Sequence, residues 1–390
     1  MPSRWTILAV LFAARAAMAF QFQSVAAIAP QLSQGLGASL ADIGILIGLY
    51  FAPGTVLALP GGAIGRRLGD KTAVLAGLAM MLAGQWLMTA STGWDAQIAG
   101  RLMAGAGGIV LNVVMTKMVA DWFSGPEMAT AMAIFVNSWP VGIAVALMAL
   151  PAIATGFGLG AANWAVMAPI AVGIVLVAWL YRAPDMPAAG PGGGRLSPGA
   201  AAAVIAAGVI WGLYNLGLAM VFSFGPSMLA ARGWSASAAG STISIVLWLA
   251  TLSVPLGGVL ADRSKRGDLI LVDGCIAFAV LLLLLSRSGT VLPVVLVLGA
   301  ICGLPAGAIM SLPQRVLGPD NRAIGMGLFY TVFYAGMLLG PMAGGRIAVW
   351  AGNAGAALDF GAAALLACPI MFWLFRLIPG GMARPAAART

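Results

Sequence analysis

Long apolar runs separated by short polar breaks dominate the chain. Twelve of them come close to or exceed the roughly 20 residues that a membrane-spanning helix needs. They cover 5–30, 40–64, 73–92, 97–120, 128–152, 161–181, 200–223, 236–260, 269–286, 290–314, 324–348 and 355–378, and are numbered here spans 1 to 12. None alternates as a barrel strand does, and all are too long for one. The longest polar break, "RAPDMPAAGPGGGRLSPG" at 182–199, is rich in Pro and Gly and reads as a flexible linker. It divides an N-terminal six-helix bundle (1–181) from a C-terminal one (200–390). The pattern predicts an all-α membrane protein.

Composition agrees. Hydrophobic residues make up 61% and charged residues 8%, against about 25% charged in soluble chains. No polar coat could cover a soluble globule. The net charge of +9 is a matter of topology rather than of a nucleic-acid partner. Arg101, Arg232, Arg287 and Arg346 fall at the far ends of their spans and Arg15 inside one, while the remaining basic residues fall at or near the side of the termini. That bias predicts cytoplasmic termini in a bacterial inner membrane. No small-residue cleavage site follows Arg4 and its apolar run, so no cleavable signal is expected. Cys275, Cys302 and Cys368 lie in apolar stretches and are expected to be packed thiols. With no histidine, a histidine metal site, a histidine proton relay and a Ser/His/Asp triad are all impossible. A phosphate-binding Gly-rich loop with its lysine is also missing. The reading is therefore no enzyme, no cofactor and no metal. Its partners are a small solute and membrane lipid, and the expected state is a monomer.

The halves echo each other. "PGGAIGRRLGD" (60–70) recurs as "LGGVLADRSKR" (256–266), and "GPEMATAMAIFVNSWPVG" (125–142) as "GPDNRAIGMGLFYTVFYAG" (318–336). Parallel six-helix repeats are a recurring transporter architecture. With "GRLMAGAGG" (100–108) in span 4, these loops make the chain resemble the major facilitator superfamily over its whole length. The family's loop pattern is Gly, three residues, Asp-Arg, one residue, then Gly and basic residues. Gly258, Asp262, Arg263, Lys265 and Arg266 match it in the second copy. In the first, Gly62, Arg67, Gly69 and Lys71 fit, but Arg66 stands where the acid belongs and Asp70 follows later. The resemblance implies two six-helix bundles related by a pseudo-two-fold axis, with spans 1, 4, 7 and 10 around a cavity flanked by 2, 5, 8 and 11. It also implies a cytoplasmic latch formed by Gly62, Arg67, Asp70, Gly258, Asp262, Arg263 and Arg266, with Asp262 capping a helix of the opposite half after Pro126. Within the superfamily the chain is similar to small-anion porters of the cyanate and nitrate kind. The glycine-rich nitrate signature is not evident, so no substrate is carried over.

Charges at membrane depth mark functional sites. Arg15 lies about ten residues into span 1, and no carboxylate lies at its depth. Asp359 and Asp273 are about one turn into their spans, and the other acids sit at ends or in loops. A cation without a protein partner suits an anionic substrate. At 100° per residue, Phe22 falls about 20° and Gln23 about 80° from Arg15. In span 4, Arg101 and Asn112 lie within about 20° of each other, with Gly105 and Gly108 on the same face to admit a close helix. Asn137 in span 5, Tyr214 and Asn215 in span 7, and Tyr330 and Tyr334 in span 11 complete the candidate substrate-binding set. Helix packing is the bland alternative for the aromatics, an interfacial snorkel for Arg101 and Lys117. The sequence reads as a secondary transporter of a small anion, working by rocker-switch alternating access. The 21 methionines keep open a lipophilic-drug exporter. A transporter-like sensor is a third class, for which a sizeable soluble domain would be expected.

Overall fold

The computed structural model describes residues 3–58, 68–123, 127–183, 196–264, 266–318 and 321–378. Gly62, Arg66, Arg67, Pro126 and Lys265 lie outside the described residues, as does 184–195 of the expected linker. Among the described residues, 11 helices are long and apolar enough to cross a membrane. One of them, Thr130–Leu180, has 51 residues. At 1.5 Å per residue that is about 77 Å, more than twice a bilayer core of about 30 Å. Gly158, with φ +86°, breaks this run into spans 5 and 6. The chain is thus an all-α, twelve-span membrane protein.

Prolines set the remaining irregularities. Span 1 is helical over Arg4–Ala27 and resumes over Ala29–Leu36 around Pro30. Span 2 runs Leu40–Leu49, turns through Tyr50–Pro53 and continues as Gly54–Leu57. Span 10 is Val291–Cys302, then Leu304–Met310 beside Pro305. A proline lacks the N–H of the helical ladder, which favours a break at these places, although Pro226, Pro255, Pro341 and Pro369 sit inside unbroken helices. Spans 3 (Asp70–Ala90), 4 (Trp94–Trp122), 7 (Pro198–Ala231), 8 (Ala236–Ser264), 9 (Gly267–Arg287), 11 (Arg322–Trp350) and 12 (Gly355–Leu377) are continuous.

Span 1 packs along spans 5 and 6, as span 7 packs along spans 11 and 12. The two halves meet mainly where span 2 crosses span 11 and span 5 crosses span 8. Small residues make those crossings possible. A Cβ on Gly44 would run into the Pro341 carbonyl, one on Gly48 into the Leu338 carbonyl, one on Gly345 into the Leu40 carbonyl and one on Gly240 into the Leu147 carbonyl. All four glycines lie in the half of the molecule away from the start of span 1 and the end of span 12. That far end is closed.

Repeat symmetry is visible in the ion pairs at the other end, the terminal side. Lys117 Nζ meets Asp70 at 2.6 Å and Asp121 at 2.7 Å, and Arg315 meets Asp268 at 2.8 Å. The pairs 70–117 and 268–315 occupy equivalent positions, both members shifted by 198 residues (70 to 268, 117 to 315). Each pair stays within its own half. Lys117 is thus ion-paired rather than snorkelling. Gly258, Asp262 and Arg266 line a recess of about 580 Å³ on the same side, beyond Arg263 in the last turn of span 8. Among the described residues, Asp262 makes no bond to the opposite half. The helix start expected to receive it, at Pro126, lies outside the described residues.

Candidate functional site

Between the halves lies a cavity of about 360 Å³, lined by spans 1, 2, 4, 5, 7, 8, 10 and 11. Its roof at the far end is dry: Phe51, Tyr334, Met337 and Phe222 are each at most 4% exposed. Toward the terminal side Val136 is 47% exposed, and Asn137 and Met310 are partly exposed. Among the described residues the cavity therefore opens toward the terminal side.

Arg15 lies on its wall. Nε donates to Asn112 Oδ1 at 2.9 Å. Nη1 donates to the Val136 carbonyl at 2.9 Å, the Phe135 carbonyl at 3.1 Å and Ser138 Oγ at 3.2 Å. The Val136 carbonyl is available because its helical donor would be residue 140, and Pro140 has no N–H. The guanidinium carbon stands 4.8 Å from the Phe135 ring centroid and 5.9 Å from that of Trp139, within cation–π range. Nη2 has no acceptor among the described residues. The expected absence of a carboxylate partner holds there, but three of the five donors are directed at neutral oxygens, which sequence alone did not reveal.

The same proline device occurs twice more. Pro226 frees the Phe222 carbonyl, which accepts from Gln23 Nε2 at 2.7 Å. Pro255 frees the Thr251 carbonyl, which accepts from Asn137 Nδ2 at 3.2 Å. Both of these bonds join one half to the other.

Asn112, Asn137, Tyr214, Asn215, Tyr330 and Tyr334 line the cavity with Arg15. Tyr214 Oη is committed to the Cys302 carbonyl at 2.8 Å and Asn215 Nδ2 to the Trp211 carbonyl at 2.8 Å. Three expected ligands lie elsewhere. Phe22 is buried behind the roof, stacked on Trp139 at 5.3 Å and edge-on to Phe222 at 5.9 Å. Gln23 is spent on the bond to Phe222 and is 1% exposed.

Arg101 is fully buried and does not line the cavity. Nε donates to the Leu46 carbonyl at 2.9 Å, Nη1 to the Gln21 carbonyl at 3.2 Å and Nη2 to the Phe22 carbonyl at 2.9 Å. Its guanidinium carbon is 4.8 Å from the Tyr50 ring centroid. Span 4 comes this close because Gly105 abuts the Tyr50 carbonyl and a Cβ on Gly108 would lie 2.6 Å from the Tyr50 hydroxyl. Arg101 is neither ligand nor snorkel but a tie among spans 1, 2 and 4. A lysine there would keep the charge but concentrate it at one point, away from acceptors on two spans. Arg101→Lys should lower the unfolding free energy by about 3–5 kcal/mol, the cost of an uncompensated buried charge. Arg101→Met removes the charge as well and should cost less. Thermal unfolding in detergent ranks the two, and the reverse order would contradict the tie.

Residues that sequence reasoning passed over are Met18, Phe51, Ser138, Met310 and Phe333. Ser138 carried a signal, lying two residues from the proline-freed Val136 carbonyl that Arg15 uses.

Known proteins share this architecture. A sequence model of the Major Facilitator Superfamily matches residues 11–225 and again 203–390. The chain belongs to the Major Facilitator Superfamily. Membership places it among transporters rather than enzymes. A crystal structure of a D-xylose-proton symporter superposes with a TM-score of 0.79 over 98% of this chain and 100% of that one. At 12% identity that likeness concerns the fold alone. The inner membrane transport protein YajR of Escherichia coli (strain K12) is 32% identical over 144 residues, which is 37% of this chain and 31% of that protein. The matched stretch thus spans about a third of the relative's length.

Proposed function

We propose that this chain is a secondary transporter moving a small anion across a bacterial inner membrane by alternating access. The halves 1–181 and 200–390 would rock about the cavity, and the termini face the cytoplasm. In that orientation the conformation described is open to the cytoplasm. One observation carries the reading: among the described residues, a midplane arginine on the cavity wall keeps Nη2 without an acceptor, and neither carboxylate nor histidine lines the cavity. A buried cation left short of acceptors is costly unless a ligand completes it. The xylose symporter's sugar is not transferred, since this cavity offers mostly apolar walls where a sugar needs many polar contacts.

The cavity also bears on coupling. Asp359 is paired with Arg287 at 2.7 Å away from it, and Asp273 does not line it. Anion exchange, facilitated diffusion or entry of the proton on the substrate fits better than a protein-borne proton carrier. The same apolar walls favour a lipophilic-compound exporter as the second reading. A melting-temperature screen of purified protein separates the two. Ligand at a hundredfold excess over Kd stabilises by about 2.7 kcal/mol. The anion reading expects stabilisation by at least one class of anion and none by neutral lipophiles. Stabilisation by neutral lipophiles alone would favour the exporter.

A further inference from the structure

Resting on that reading, we infer that the substrate is an organic monoanion with a flat apolar body, of the aromatic monocarboxylate class, rather than an inorganic oxyanion or a dianion. Charge sets the first limit. Arg15 is the single cationic side chain on the cavity wall, so a second negative charge would be stranded beside apolar groups. Size sets the next. At about 360 Å³ the chamber falls in the range of organic-ligand pockets, about 300–1,000 Å³. An ion of a few atoms would leave most of it as water against greasy walls.

The walls themselves define the body. Trp139, Phe51, Phe333 and Trp211, from spans 5, 2, 11 and 7, form a continuous aromatic arc. Its successive ring centroids are 6.5, 6.4 and 6.2 Å apart. Met310 and Met337 add polarizable surface that adapts to a ring. Arg15 stands at the Trp139 end of this arc, with the Asn112 amide beside it. A carboxylate on Nη2 therefore leaves the rest of the molecule lying along the arc, where offset or edge-to-face ring contacts are favourable. Burial of a ring contributes in proportion to the apolar area removed from water, a gain that nitrate or formate cannot collect.

Titration calorimetry on full-length protein in nanodiscs tests this with phenylacetate, benzoate, acetate, nitrate, phthalate and neutral benzamide. Wild type should bind phenylacetate or benzoate about tenfold or more tightly than acetate, with phthalate and benzamide weak. Arg15→Ala should lose the aromatic acids. Phe333→Leu should weaken them several-fold and leave acetate unchanged; Trp211→Leu repeats this should the first variant fold poorly. If nitrate or acetate binds as tightly as phenylacetate and depends on Arg15, the aromatic class is overturned while the anion reading survives. If benzamide and phenylacetate bind alike in wild type and Arg15→Ala, both are overturned. Failure of every aromatic acid to bind folded protein overturns the inference as well.

Discussion

Gly48→Trp and Gly240→Trp are each expected to trap the molecule with its far end open. In the conformation described, Gly48 meets the Leu338 backbone and Gly240 the Leu147 backbone, each across the boundary between the halves. A backbone carbonyl cannot swing aside as a flexible side chain can, so an indole at either crossing forces the helices apart. Overpacking of this kind costs about 1–3 kcal/mol, and it is felt only when the far end is shut. The far-closed population should then fall by roughly five- to 150-fold relative to the far-open one. Spin labels on Thr92→Cys and Gly289→Cys, in exposed far-end loops of opposite halves, should report a longer distance in both variants. The native cysteines are buried and will not compete for label. An unchanged distance would mean that these crossings do not gate the far end.

Which features the sequence announced, and which it withheld, follows from what a linear pattern can encode. Span count and class were legible because a bilayer demands runs of fixed length. The break at Gly158 was equally visible as the gap between runs 5 and 6. Arg15 stood out because snorkelling is hard from its depth and no carboxylate lies there to pair with it, and Asn112 because it lay in span 4 on the face shared with Gly105 and Gly108. Phe22, Gln23 and Arg101 do not line the cavity, for one shared reason. Angle around a helix says nothing of depth along it. Phe22 is about 10 Å beyond Arg15 and Arg101 about 16 Å from Asn112 at 1.5 Å per residue, so they lie past the roof that closes the cavity. The partners of Gln23 and Arg101 are backbone carbonyls of neighbouring spans, which carry no residue signature. The carbonyls freed by Pro140, Pro226 and Pro255 are a partial exception, since a proline four residues downstream marks each one. The expected capping partner of Asp262, after Pro126, lies outside the described residues.

Arg15→Ala should abolish transport and leave the protein folded. Two stability terms oppose each other. Removing an arginine from the middle of a span relieves roughly 2.5–3.5 kcal/mol on insertion scales. Leaving the Val136 carbonyl without its donor costs about 1–3 kcal/mol. The terms nearly cancel, so expression and melting temperature should change little. Function has no such offset. A charge-assisted bond to the substrate is worth about 1.5–3 kcal/mol, and Arg15 also supplies the one positive charge of the cavity wall. Arg15→Lys keeps that charge but loses the fork. A lysine can satisfy the span 5 carbonyls or reach the anion, but it cannot also hold Asn112 in place. Its affinity should drop by about tenfold or more.

The most direct measurement is exchange of the best-binding anion in proteoliposomes, run side by side with wild-type protein, Arg15→Lys and Arg15→Ala at equal reconstituted amounts. The account predicts rapid exchange in wild type, a reduced rate in Arg15→Lys that recovers at high anion concentration, and a rate in Arg15→Ala equal to that of protein-free liposomes. Exchange by Arg15→Ala at the wild-type rate would contradict it.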